Sequence, residues 1–152
     1  MASGARPDAY AGGVITRELA IALRDAGLVW HPAEGDRFQL DLPDDVELEA
    51  EADVFTVSEM TIEARQTPSG TDLAFNGTTE WALDAVTLAD AVWLPREDQL
   101  REVLRGTFRR LVRLADAFEV EIEIAGETLR FEHPDPAEAY GLALLALISR
   151  SH

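Results

Sequence analysis

A chain of 152 residues, 47% hydrophobic, with thirteen arginines against twenty-nine acids and a formal net charge of −16, is long enough for one domain with a core. It is too acidic for nucleic acid or an anionic membrane to be its main partner, because binding either depends on cations that neutralise phosphates. The absence of cysteine excludes disulfides, thiol nucleophiles and thiolate metal sites.

Residues 1–13 are small and polar, with Pro7 and a Gly12-Gly13 pair, and read as a flexible N-terminal tail. They hold no apolar stretch of the signal-peptide kind, and no run in the chain approaches the roughly 18 apolar residues of a membrane span. A soluble, cytoplasmic protein with a single α+β domain over 14–152 is the expectation. Ile15, Leu19, Ala22, Leu23 and Ala26 share one helical face, with Thr16 as the cap and Gly27 as the stop. That stripe is expected to pack on a sheet. Arg37 to Leu40 predicts a short strand, and the acid-crowded stretch Asp41 to Asp53 a solvated loop. Strand propensity returns at Val54 to Val57 and Met60 to Gln66, followed by a Thr67-Pro68-Ser69-Gly70 turn and a return strand Thr71 to Phe75.

Thr79 to Val86 reads as a short helix carrying Trp81, Leu83 and Val86. Pro95 suits the first turn of a long helix with Leu100, Val103 and Leu104 on its apolar face. Gly106, followed by Thr, Phe, Val and Leu, favours ending that helix and opening a strand over Phe108 to Leu114. Phe118, Val120, Ile122 and Ile124 alternate with Glu119, Glu121 and Glu123, the pattern of a strand with one dry face. With Gly126-Glu127 as a two-residue turn, Ile124 faces Leu129, Ile122 faces Phe131 and Glu123 faces Arg130. Asp135-Pro136-Ala137-Glu138 predicts a helix start, with an N-cap Asp and Pro at the first position. The order α-βββ-α-α-βββ-α predicts an antiparallel sheet of about six strands with helices packed on one face.

The final helix carries Leu142, Leu144, Leu145, Leu147 and Ile148 around much of its girth. A monomer's surface helix needs only an apolar stripe, so Leu144, Leu147 and Ile148 are candidates for a homodimer interface, with full burial inside one domain as the alternative. Charge is segregated as well. Residues 96–113 hold Arg96, Arg101, Arg105, Arg109, Arg110 and Arg113 against Glu97, Asp98 and Glu102, while seven arginines face twenty-six acids elsewhere. Such a strip can seat an acidic partner, a phosphate or the chain's own acids. Trp81, Trp93, Arg96 and Arg101 are the candidates for a partner-binding surface, although two tryptophans in a small domain also fit core packing and Glu97 and Asp98 fit helix capping.

His31 lies near Glu34 and Asp36, and His133 near Asp135, without the spacing of a recognised ligand motif. Asp41 to Asp53 lacks the central glycine and terminal glutamate of a calcium loop. Phosphate loops, a nucleophile elbow and a dinucleotide fingerprint are absent. No catalytic residue, cofactor or metal site is expected.

The run Phe75-Asn76-Gly77-Thr78-Thr79-Glu80-Trp81-Ala82-Leu83-Asp84, with Trp93-Leu94-Pro95-Arg96-Glu97-Asp98-Gln99-Leu100-Arg101, resembles a family of small uncharacterised actinobacterial proteins, some labelled "pilus assembly protein". The likeness runs from about Ile15 to Ile148 and implies no established activity. In architecture alone the chain is loosely similar to the dimeric chaperones of type III secretion, which bind extended client segments. The expected function is a small, acidic, non-enzymatic protein-binding or chaperone-like module that adds a partner's strand to a sheet edge. The alternative is a small-ligand-binding protein or enzyme with a pocket between sheet and helices, reached by Arg96 and polarised by Glu80 or His31.

Overall fold

The computed structural model describes residues 14–41, 54–58, 62–68, 70–75 and 85–151. The expected tail over 1–13, most of the acidic loop (42–53) and Trp81 lie outside them. The chain is α+β and divides into two compact units, one of residues 1–28 with 95–152 and one of 29–94.

In the first unit, helix α1 (Arg17–Ala26) starts at Thr16, whose side chain accepts the Leu19 N–H, and stops at Gly27 with φ 125°. Helix α2 (Glu97–Leu104) has Arg96 at its N-cap. Pro95 therefore stands just outside the helix, and the Gln99 side chain caps it by accepting the Arg96 N–H at 2.9 Å. Strands β7 (Phe108–Arg113), β8 (Phe118–Ile124) and β9 (Glu127–His133) form an antiparallel sheet in that order. Helix α3 (Pro136–Arg150) begins at Asp135, whose side chain accepts the Ala137 N–H at 2.9 Å.

Helix α3 packs against α1, α2, β8 and β9. Its apolar girth is thereby largely used within the unit, and the elements it packs on supply buried Val120 and Ile122 of β8, Leu19 and Leu23 of α1, and Leu100 and Leu104 of α2. Helix α1 thus packs chiefly on α3 rather than on a sheet. Gly141 lets it approach, because a Cβ there would meet the Leu19 side chain. Leu144, at 1% exposure, is buried in the chain and has no free surface for a second copy, whereas Leu147 and Ile148 are half-buried.

The β8–β9 hairpin corrects the expected turn. Ile124 faces Glu127, so the two turn residues are Ala125 and Gly126, with φ of 53° and 84°. Positive φ at both positions matches the strand twist. Ile122 accordingly faces Leu129, Val120 faces Phe131 and Glu121, not Glu123, faces Arg130. The slip is two residues along the partner, so every side chain keeps its expected face.

In the second unit, β1 (Arg37–Leu40) lies between β2 (Phe55–Thr56) and β6 (Ala91–Trp93), and β4 (Gly70–Phe75) lies between β3 (Ile62–Thr67) and β5 (Ala85–Thr87). Residues 85–87 are thus a strand rather than the end of a short helix, and 79–84 lie outside the described residues. The described strands form three antiparallel sheets of three strands in place of one sheet of about six. The strands β2, β5 and β6 are two or three residues long, too short to show a period of two. Only their partners identify them.

Candidate functional site

The sequence of β7, Phe-Arg-Arg-Leu-Val-Arg, has no clean alternation. Strict alternation would place Arg110 on the face of Phe108 and Leu111 with Arg109. The observed register prevents this. Phe108 faces Ile122 and Arg110 faces Glu121, which leaves Arg109 as an extra residue in a β-bulge. Beyond it Leu111 faces Val120, Val112 faces Glu119 and Arg113 faces Phe118. The bulge therefore puts Leu111 on the apolar side and Arg110 on the polar side.

On the polar side, arginines from both flanking strands converge on the glutamates of β8. Arg109 Nε lies 3.4 Å from Glu123 and Arg110 Nε 3.2 Å from Glu121, while Arg130 Nε lies 3.3 Å from Glu121 and 3.9 Å from Glu119. Such half-exposed pairs contribute about 0–1 kcal/mol each, so they align the strands more than they stabilise them. Arg113 lies over the Phe118 ring at 5.5 Å. Among the described residues, no strand pairs with the other side of β7. Leu111 stands 38% exposed there, beyond the β8 and β9 surface on which α3 packs.

Arg96 and Arg101 of the basic segment are also engaged. Arg96 Nε lies 3.1 Å from Asp98. Arg101 Nη1 donates to the buried Tyr140 hydroxyl at 3.3 Å with its guanidinium 5.9 Å from the ring centre, and that hydrogen bond raises the Arg101 pKa further. Tyr140 in turn packs on Phe108 with ring centres 5.6 Å apart. Trp93 belongs to the second unit. Its ring stacks on Trp30 at 6.3 Å, and Trp30 meets Phe38 at 5.4 Å. The Trp30 Nε1 donates to the buried Asp36 at 2.9 Å, whereas Trp93 Nε1 is buried without a hydrogen-bond partner among the described residues. Of the four residues expected at a contact surface, Arg96 and Arg101 lie in the first unit, Trp93 packs in an aromatic cluster of the second, and Trp81 lies outside the described residues.

The N-termini of the three helices of the first unit are linked. A β-bridge joins Val14 to Arg96, and the Glu138 carboxylate in the first turn of α3 accepts the Thr16 N–H at 2.6 Å. Glu97, in the first turn of α2, has its pKa raised by burial, then by Asp135 and Asp98, against the lowering effect of Arg101. A carboxyl raised in the folded state disfavours folding when ionised, so the native state gains stability as pH falls through that raised value. The gain ends once the unfolded chain's glutamate is protonated too. Glu97→Gln is expected to be slightly more stable than the parent at neutral pH, with the difference vanishing below about pH 4. Thermal melts of both proteins across that range check it; a variant less stable at neutral pH contradicts the assignment.

His133 Nδ1 accepts the Asp135 N–H at 2.9 Å, so this nitrogen serves a turn, and His31 is exposed in the second unit. Among the described residues no group of three or more His, Asp or Glu side chains is arranged to hold a metal ion, and no helix is long and apolar enough to cross a membrane. The features of this strand that sequence reasoning missed are the exposure of Leu111 and the bulge at Arg109. Their signal was the broken alternation of residues 108–113. Compared with protein-family models, curated proteins and solved structures, the chain matches none.

Proposed function

We propose that the chain is a small, acidic, non-enzymatic protein-binding module, chaperone-like in that it takes up an extended segment of a partner as an added strand beside β7. One observation carries the reading: β7 is a six-residue strand whose outer side has no paired strand among the described residues, with exposed Leu111 set among exposed arginines. Charged side chains on such an edge discourage pairing with like edges and leave it open to a matching segment. In this reading the contact role falls on Arg109, Arg110, Leu111 and Arg113, because they belong to β7 itself.

The test is a photo-reactive residue placed at position 111, or at the exposed Glu132 of β9 as a control, in cells expressing the intact chain. Adducts with another protein at 111 and none at 132 are expected. Adducts at 132 alone would move the site to the opposite edge, and none at either position would remove the reading. The solution mass of the same samples at low and high salt measures homodimerisation. A salt-resistant dimer would support an apolar interface that includes Leu147 and Ile148, and a monomer would remove that interface without touching β7.

A further inference from the structure

We infer that the segment accepted by β7 is one in which acidic residues alternate with apolar ones. The inference rests on the strand-addition reading and names the chemistry of its partner. The chain itself shows what β7 pairs with. Its inner neighbour β8 reads Phe-Glu-Val-Glu-Ile-Glu-Ile, with glutamates on the face of Arg109 and Arg110 and apolar residues on the face of Leu111. A strand on the outer side would stand at the same spacing, about 4.8 Å, and meet the same two faces.

The side chains needed for a second neighbour remain accessible. Arg109 and Arg110 are 44% and 63% exposed at the side chain although each touches a glutamate of β8, and a guanidinium has donors for a second carboxylate. Leu111 is 38% exposed, so an apolar residue opposite it would complete its cover. Basic residues opposite the arginines would be repelled. The same rule disfavours a second copy of β7 as occupant, since two-fold antiparallel pairing centred on Leu111 sets arginine against arginine. The whole chain is acidic, yet in about 0.15 M salt charges are screened over roughly 8 Å, so an added strand responds mainly to the arginines beside it.

The probes are three synthetic peptides with uncharged solubilising ends: the sequence of residues 118–124, the same with every glutamate replaced by lysine, and the first N-methylated at alternate residues to block strand pairing. Each is titrated into the intact isotope-labelled protein while backbone amide shifts are followed. The acidic peptide is expected to bind saturably with shifts centred on 108–113, about tenfold more tightly than the lysine peptide. N-methylation and, separately, Leu111→Glu in the protein are expected to weaken it at least as much. Equal or tighter binding of the lysine peptide at β7 would overturn the acidic chemistry and leave strand addition standing. Shifts confined to β9 would report displacement of β8 and overturn the outer edge as the site. If no peptide shifts β7, both readings fall.

Discussion

Glu138→Ala is expected to lower the unfolding free energy by about 3 kcal/mol, and the melting temperature by roughly 6–12 °C for a chain of this size. The carboxylate is 8% exposed and accepts the Thr16 N–H at 2.6 Å and the Thr16 hydroxyl at 3.3 Å. Thr16 caps α1 while Glu138 lies in the first turn of α3, so one buried charge meets the positive ends of two helices. Alanine removes both acceptor oxygens and leaves a part-buried N–H unpaired. Glutamine keeps one acceptor without the charge and is expected to lose only about 1 kcal/mol. Denaturant titration gives the total, and hydrogen exchange at the Thr16 amide gives the local effect. A loss below about 0.5 kcal/mol for Glu138→Ala, with exchange unchanged, would show that the contact does not hold the helices together.

Gly141→Val is expected to cost about 3 kcal/mol, and Gly141→Ala about 1 kcal/mol, although alanine is ordinarily the better helix former by about that amount. The sign is the informative part. A Cβ at Gly141 would run into the Leu19 side chain, with Leu19 Cγ at 3.2 Å and Ile15 Cγ2 at 3.4 Å, where α1 crosses α3. Leu19 is buried at 8% exposure and has little room to move. Truncating it makes space, so Leu19→Ala combined with Gly141→Ala should cost less than the two single losses added together. Equilibrium unfolding of the four proteins measures that coupling. A stabilising Gly141→Ala, or strictly additive losses, would mean that the two helices do not meet closely at this residue.

Several elements are legible in the sequence because their determinants are neighbours along the chain. Thr16 and Gly27 bound α1, the Glu alternation marks β8, and Asp135-Pro136 opens α3. The candidate site is legible only in outline. The arginine segment is visible as composition, but which arginines are held by which acids depends on a bulge that shifts the face of every residue after Arg109. Arg96 and Arg101 stood out by charge alone, and their contacts with Asp98 and Tyr140 could not be read from charge.

Propensity, periodicity and capping act over a few residues, and through them the sequence by itself determined the α+β class, the bounds of α1, the start of α3 and the two faces of β8. Tertiary structure decided the partners. It assigned the strands to three sheets, set the β8–β9 register through Ala125 and Gly126, and joined Thr16 to Glu138 across 122 residues. The physical reason is that a buried donor takes whichever acceptor the packing brings to it, and packing of α1 on α3 is a property of the whole unit rather than of either segment.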